Sequence, residues 1–239
     1  MATGATTQPA GSENAVHAPF AESLLPPLSR KLAPAAIDWL TGEIERQRAA
    51  DERRLAIALG LASRTIARVE LSLTAEEVAT ARRLRAGWQP ELWGADEAAR
   101  VLILMASHGG DDQAFAARVD RLCTTAEVTE YIAYLKGFAI FPAAKLLYGR
   151  AREGVRTAIT PVFAAIACHN PYPFDHFDED AWNQMVVKAV FSGRPIETIF
   201  GLRERRNPEV VQMLRDLVSE RRAASRPLPE AVHAYVEAD

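Results

Sequence analysis

The chain has 239 residues, of which 49% are hydrophobic and 25% are charged, as is ordinary for a globular protein. Its net charge of −3 excludes the basic surplus that nucleic-acid binders carry. Apolar runs such as residues 101–106 are far shorter than the roughly 20 residues that cross a bilayer. The two cysteines, Cys123 and Cys168, form no Cys-x-x-Cys pair, which favours a reducing compartment. Composition therefore predicts a cytoplasmic protein without a transmembrane segment or a nucleic-acid partner.

The N-terminal segment is rich in Ala, Thr, Gly and Ser and lacks the basic and apolar parts of a signal peptide. We predict a disordered tail over residues 1–18 and a single domain over residues 19–239. Residues 19–27 form an apolar lead-in that prolines interrupt. A domain of this length can bury a stable core without disulfides.

Helical signals follow one another from Pro34, which fits the first turn of a helix. Asp51 precedes a second, short helix. Thr74 and Glu77 have the spacing of a capping box, in which each side chain accepts a hydrogen bond from the other residue's backbone N–H. This pattern predicts a helix that runs to about Gly87.

The remaining predicted helices start at capping residues or prolines and end near glycines. In chain order they start at Asp96, at Asp111 or Asp112, at Thr124 with Glu127 as a second capping box, at Pro142, near Thr157, at Asp178, at Asn207–Pro208 and at Pro229. Few segments alternate with period two, and no fixed-period repeat is present. Short connections favour antiparallel helix hairpins. The prediction is an all-α fold, either an irregular bundle or a HEAT-like α-α superhelix.

One stretch, residues 168–191, departs from this regular pattern. Pro171 and Pro173 keep the chain extended, so we expect a constrained loop with two histidines and three aromatic residues over 169–177. In the following helix, Trp182 begins an apolar stripe.

A polar row on the same helix comprises Asp180, Gln184 and Lys188 at a spacing of four residues. This row is either a solvated face, as is common for surface helices, or one side of a binding pocket. In the second interpretation, Asn183, Gln184 and Lys188 line a polar pocket opposite the histidine-bearing loop.

The runs His-Asn-Pro-Tyr-Pro at 169–173 and Ala-Trp-Asn-Gln-Met-Val-Val-Lys-Ala at 181–189 resemble the signature region of the EboA family. Residues 201–216 resemble the C-terminal part of that family, and the likeness extends over roughly residues 95–225. At residues 219–222 the chain has Ser-Glu-Arg-Arg where the family pattern is aromatic-rich. A pocket wall at this position would be less aromatic here.

The resemblance implies a role in metabolite biosynthesis or traffic within a secondary-metabolite gene cluster. Such proteins are encoded with a UbiA-like membrane prenyltransferase, a TatD-like hydrolase and a sugar-phosphate-cyclase-like enzyme. The implied partners are a small-molecule metabolite, which could be phosphorylated, and other proteins of the cluster, including the prenyltransferase. No cofactor is implied.

The candidate ligand-binding residues combine this signature region with the start of the helix after it. They are His169, Asn170, Tyr172, Trp182, Asn183, Gln184, Lys188, Arg203, Arg206 and Asn207. The basic cluster Arg203, Arg205 and Arg206 lies just before a helix N-terminus, which could hold a phosphate or carboxylate. Alternatively, Glu204 and Glu209 neutralise it in surface ion pairs.

Two chemical alternatives remain open. His169, His176 and Asp180 supply imidazole and carboxylate groups that suit Zn²⁺ or Fe²⁺, although acidic residues are also typical of a helix's first turn. Cys168 next to His169 could be a nucleophile–base pair or simply a buried cysteine.

Three functions fit these patterns. The first is a non-catalytic binding or carrier protein. The second is an enzyme that acts on a sugar phosphate or a prenyl-linked metabolite, with acid–base groups from His169, Asp180 and Lys188, although their spacing matches no known catalytic template. The third is a helical scaffold that docks partner enzymes.

Overall fold

The computed structural model describes residues 14–47 and 52–238, without the side chains of residues 14–17. It is 72% helical with 13 α-helices, and these residues form no strand or sheet. The predicted all-α fold is confirmed. The superhelical arrangement stays a prediction.

Three of the connections between the helices contain a 3₁₀ segment (Pro90–Leu92, Ala144–Leu147 and Ile196–Thr198). In chain order the helices are α1 (Asn14–Lys31), α2 (Pro34–Gln47), α3 (Glu52–Thr65), α4 (Ala75–Leu84), α5 (Ala95–Ala106), α6 (Asp112–Thr125), α7 (Val128–Gly137), α8 (Tyr148–Arg156), α9 (Thr160–Ala167), α10 (Tyr172–His176), α11 (Glu179–Phe191), α12 (Pro208–Ala223) and α13 (Glu230–Glu237).

Four of the predicted helix starts are confirmed by side-chain caps. Thr74 Oγ1 accepts a hydrogen bond from Glu77 N at 3.3 Å, and Glu77 Oε2 accepts one from Thr74 N at 2.8 Å. Asp111, Asp178 and Asn207 cap α6, α11 and α12 through their side-chain oxygens. These caps satisfy backbone N–H groups that have no partner inside the helix.

Two predicted starts are wrong. Thr124 lies inside α6, where its hydroxyl donates to Asp120 O, and α7 begins at Val128 after Glu127. Pro142 lies before the 3₁₀ segment, and α8 begins only at Tyr148. Local residue preferences are a weak guide to such boundaries, because tertiary context overrides them.

The N-terminal region also differs from the expectation. The proline-interrupted segment is part of α1, which contains Pro19, Pro26 and Pro27 and which includes the last five residues of the predicted tail. Burial of Leu24 and Leu28 against the core offsets the backbone hydrogen bonds that the prolines remove. Residues 1–13 of the predicted tail and Asp51 lie outside the described residues.

Helix α5 forms the centre of the core. Ten of its twelve residues are buried, including Arg100, whose Nη1 donates to Asp96 Oδ2 at 2.9 Å. Helices α1, α2 and α3 pack on α5, which also packs on α7. From α7 the packing continues in order to α9, α11, α12 and α13. The helices therefore stack in roughly the order of the chain.

Three connections converge beside α7 and α9. The turn after α4 is held by an isolated antiparallel bridge between Glu70 and Gly94 and by the hydrogen bond from Leu71 N to Trp93 O at 3.0 Å. The end of α9 is held by the bond from His169 N to Thr198 O at 2.7 Å. These bonds place residues 87–93, 168–170 and 194–198 around one space.

Candidate ligand cavity

A cavity of about 490 Å³ lies between these three connections and the facing sides of α7 and α9. We call it the tryptophan cavity. Its walls are mainly apolar, with polar groups from the ends of helices. They are formed by Trp88, Gln89, Leu92, Trp93, Ile132, Lys136, Ala139, Pro161, Ala164, Ala165, Cys168, His169, Asn170, Arg194, Pro195 and Thr198.

Two tryptophans form the aromatic wall of the cavity. Trp88 and Trp93 are buried, and their rings meet edge to face with centroids 6.0 Å apart. Phe20 of α1 packs on Trp88 in the same way at 5.3 Å. Gly87, at φ +77°, makes the turn before Trp88, and a Cβ there would overlap the Phe200 ring. The tryptophans are therefore held by packing on both sides and by a glycine-dependent turn.

The opposite wall consists of small residues. Ala139 follows the end of α7, and Pro161, Ala164 and Ala165 belong to α9. Pro161 fits the first turn of α9 because its missing N–H would have no partner there. The space between α7 and α9 exists because these side chains are short, so a larger residue at Ala164 would fill it.

Two polar side chains of the cavity, Lys136 and His169, have different partners. Lys136 Nζ lies 2.6 Å from Glu97 Oε2, so its charge is paired. His169 has a left-handed backbone, φ 54°, and its Nδ1 is 2.9 Å from Gln89 Oε1. Burial lowers the pKa of His169, with nearby Glu91 raising it and Lys136 lowering it. A neutral imidazole is therefore favoured at this position.

Cys168 also borders the cavity. Burial raises the pKa of its thiol, while a hydrogen bond with Thr198 and the charge of Arg194 act in the opposite direction. A thiol with a raised pKa is protonated at neutral pH and is a weak nucleophile. The predicted Cys168–His169 pair thus has its thiol beside Thr198 and its imidazole beside Gln89.

Of the predicted ligand residues, His169 and Asn170 line the cavity. Asn170 is buried, and its Nδ2 donates to Leu135 O at 3.0 Å and Ala165 O at 2.9 Å. Its Oδ1 accepts from Tyr172 N at 3.0 Å. The amide therefore joins α7, α9 and α10, and its hydrogen-bonding capacity is largely used by the backbone.

Tyr172 and Trp182 belong to the core. The Tyr172 hydroxyl donates to Ala144 O at 2.8 Å, and burial raises the pKa of this phenol. Trp182 is fully buried and lies 4.6 Å below the Arg205 guanidinium. The predicted constrained loop contains the short helix α10.

The predicted polar pocket opposite the histidine loop is not formed by the three residues assigned to it. Asn183 is buried against Asn207 at the start of α12. Gln184 is exposed and donates to Asp180 at 2.8 Å. Lys188 Nζ donates to the carbonyls of Val155 and Thr157, at 2.5 and 2.7 Å. The reason is that α11 packs on α9 and α12.

The predicted anion site at the start of α12 is also differently organised. Arg205 Nη1 donates to the carbonyls of Pro173, Phe174 and Phe177 at 2.8–3.1 Å. Arg206 donates to the carbonyls of Tyr235 and Ala238. Arg203 is exposed, and Asn207 caps the helix. Two of the three guanidinium groups therefore hold the backbone.

The alternative metal ligands lie in separate environments. His169 contacts Gln89, the His176 ring lies 4.6 Å from the Tyr172 ring, and Asp180 pairs with Gln184. Across residues 14–47 and 52–238, no group of three or more His, Cys, Asp or Glu side chains is placed to hold a metal ion.

Sequence reasoning missed most of the cavity. It concentrated on residues 169–207 and assigned no role to Trp88, Trp93, Lys136 or Arg194. The available signal was the run Gly-Trp-Gln-Pro-Glu-Leu-Trp at 87–93, in which two large aromatic residues lie in a turn. Aromatic residues in a turn must pack against another part of the chain, but the run does not indicate which part.

The fold and the cavity define an all-α protein in which helix ends and turns surround a mainly apolar space with several polar groups. The chain belongs to the EboA family, whose sequence profile, described as metabolite traffic protein EboA, matches residues 21–237. No protein of curated function and no solved structure matches the chain. In the described part of the chain, no helix is both long and apolar enough to cross a bilayer.

Proposed function

We propose that the protein is a non-catalytic binding protein that holds a small organic metabolite in the tryptophan cavity, in the course of its traffic or biosynthesis. The observation that carries the proposal is the cavity itself. Its 490 Å³ falls within the roughly 300–1,000 Å³ of small-molecule sites, and its mixture of aromatic walls with a few polar groups is typical of them. The family description, a metabolite traffic protein, supports this function.

The arrangement of the titratable groups favours binding over catalysis. His169, Asp180 and Lys188, which would be the acid–base groups of an enzyme, lie at three different helix contacts. A general acid and a general base must both reach the reacting atoms of one substrate. Lys188 in addition uses its ammonium on two backbone carbonyls.

Further parts of the proposal rest on the family resemblance. We infer a cytoplasmic location, a secondary-metabolite gene cluster, and transfer of the metabolite to other proteins of that cluster. The UbiA-like membrane prenyltransferase is one such partner.

The proposal is tested by filling the cavity. Ala164→Phe adds a ring to the small-residue wall, whereas Ala117→Phe adds the same ring to an exposed position of α6 that borders none of the cavities described. Each full-length chain is purified from a host that expresses the neighbouring genes and is examined by native mass spectrometry. We expect a small molecule on the wild type and on Ala117→Phe, and its loss from Ala164→Phe.

The same spectra test the competing functions. A wild-type chain without any small molecule, or a molecule that Ala164→Phe retains in full, would contradict binding in the tryptophan cavity. Partner proteins retained by both variants without a small molecule would indicate the scaffold function. Conversion of the molecule to a new mass by the purified wild type would indicate an enzyme.

A further inference from the structure

The tryptophan cavity is lined by basic but not by acidic side chains. Lys136, His169 and Arg194 border it, and no Asp or Glu is among its lining residues. A cavity with one sign of charge attracts ligands of the opposite sign, because low-dielectric walls strengthen the field inside it. The next question is which of these charges is free to meet a ligand.

Arg194 carries the uncompensated charge. Lys136 is paired with Glu97, and the lowered pKa of His169 favours its neutral form. By contrast, the Arg194 side chain forms no hydrogen bond and no ion pair with any residue that the structure describes, and its Nε is buried without an acceptor. Its charge acts to lower the pKa of the Cys168 thiol, and both residues border the cavity.

The backbone around Arg194 holds this position. Gly193, at φ +74°, ends α11, Arg194 N donates to Ala189 O at 2.8 Å, and Pro195 follows. The residue before a proline is restricted to an extended backbone. The turn therefore fixes the backbone from which the Arg194 side chain reaches the cavity wall.

A second buried donor at the cavity has no acceptor. Trp88 Nε1 is buried, and no side chain or carbonyl among residues 14–47 and 52–238 accepts its hydrogen bond. Trp88 Nε1 and Arg194 Nε are both closed to solvent, so a ligand meets the terminal nitrogens of Arg194 and the tryptophan rings rather than these two donors. The planar fork of an arginine matches the two oxygens of a carboxylate or phosphate.

We propose that the ligand of the tryptophan cavity is an amphipathic organic anion, whose carboxylate or phosphate group pairs with Arg194 and whose apolar body lies against Trp88 and Trp93. This inference rests on the proposed function and specifies the chemical class of its ligand.

A neighbouring cavity supplies the main competitor. Arg194 also borders a second cavity of about 380 Å³, together with Arg221, Arg226 and Glu197. An anion could pair with arginines there without entering the tryptophan cavity. Arg226 borders the second cavity and not the tryptophan cavity, so Arg226→Gln distinguishes the two locations.

The test compares two probes of the same shape, 2-naphthoate and neutral 2-naphthamide, by isothermal titration calorimetry on the full chain. We expect the wild type to bind naphthoate more tightly than naphthamide. Arg194→Gln should weaken naphthoate binding by about tenfold or more, the size of one charge-assisted hydrogen bond. It should leave naphthamide affinity within about twofold, which also shows that the variant is folded. Arg194→Lys should restore only part of the loss, and Arg226→Gln should bind naphthoate like the wild type.

Each contrary result has a distinct meaning. Equal affinity for both probes in the wild type, lost in Ala164→Phe, would retain the cavity as a binding site but overturn the anionic class. A loss in Arg226→Gln equal to that in Arg194→Gln, with Ala164→Phe unaffected, would move the anion to the second cavity and overturn the inference. Binding of neither probe to the wild type would overturn the inference, whereas the proposed function is decided separately by the native mass spectra of the wild type and Ala164→Phe.

Discussion

Asn183 and Asn207 exchange side-chain hydrogen bonds across the contact between α11 and the start of α12. Asn207 Nδ2 donates to Asn183 Oδ1 at 2.9 Å, and Asn183 Nδ2 donates to Asn207 Oδ1 at 3.3 Å. The same Asn207 Oδ1 accepts from Val210 N at 2.9 Å and so caps α12. Asn183 is only 1% exposed. This pair therefore orients two helices. Both residues have a structural function, whereas the sequence predicted that they bind a ligand.

Replacing Asn183 by alanine should therefore destabilise the fold and spare the cavity. The substitution removes the buried partner of Asn207 and leaves its amide with only the longer bond to Arg205 O at 3.3 Å, so we expect a loss of about 1–3 kcal/mol in the free energy of unfolding. Urea denaturation measures this loss. Gln184→Ala, on the exposed side of the same helix, should change it by less than about 0.5 kcal/mol.

A different result for Asn183→Ala would support the sequence-based prediction that Asn183 binds a ligand. If Asn183→Ala has the stability of the wild type but no longer carries the metabolite in native mass spectra, then Asn183 is a ligand-binding residue.

Replacing Lys188 should also destabilise the fold and spare the cavity, but through the loss of different contacts. Its ammonium donates to two carbonyls at the end of α8, where a positive charge is also favoured by the helix dipole. Lys188→Met keeps the side-chain length but removes these bonds, and we expect it to cost about 1–2 kcal/mol of stability. Lys31→Met, on an exposed side chain at the end of α1, is the matched control. Thermal and urea unfolding should show a larger loss of stability in Lys188→Met than in Lys31→Met. Equal losses in the two variants would show that the contacts of Lys188 contribute little to stability.

Local sequence signals predicted many of the helices because the residues that mark a helix start in the sequence are the ones that cap it in the structure. Thr74 with Glu77, Asp178, and Asn207 before Pro208 each cap a helix where they were expected to. The errors lie where tertiary packing decides. Prolines within α1 are accommodated by burial of Leu24 and Leu28, and nothing in the local sequence announces that burial.

The cavity was not predictable in the same way, since it joins parts of the chain that are far apart. Trp88 and His169 are separated by 81 positions, and the hydrogen bond between Gln89 and His169 joins the two segments. A periodic pattern shows which face of a helix is buried but not which helix it meets. The two predicted ligand residues that line the cavity, His169 and Asn170, lie in a loop that its prolines make conspicuous.

Gly201 provides a test of how tightly the turn before α12 packs on α10. Its φ is +73°, and a Cβ at this position would overlap the Phe174 ring. Gly193 has nearly the same φ, +74°, with no atom within 4 Å of a Cβ. Gly193→Ala should cost about 1 kcal/mol for the left-handed backbone alone, whereas Gly201→Ala should cost at least about 1–3 kcal/mol more because of the overlap. Urea unfolding of the pair measures the difference, and equal losses would mean that Phe174 moves aside freely.

The free energy of unfolding should decrease as the pH falls below the pKa of a free histidine, in part because of His176. This ring packs on Tyr172, and burial lowers its pKa from 6.5, with Asp175 raising it and Arg85 and Lys145 lowering it. Since the unfolded chain binds this proton more readily than the folded chain, the free energy of unfolding is unaffected above about pH 7.5 and falls as the pH drops through 6.5 towards the lowered value.

His176→Gln removes this titration, so the difference in stability between about pH 7.5 and about pH 5.5 should become smaller than in the wild type. His169, whose pKa is also lowered by burial, keeps part of the dependence, and the double variant with His169→Gln should be flatter still. His233→Gln in α13 is the control. The measurement is urea unfolding at the two pH values. Glu77 and Asp178 have lowered pKa values and titrate below this range, so they do not contribute to the difference. An unchanged pH dependence in His176→Gln would mean that the folded protein accommodates the protonated ring without cost.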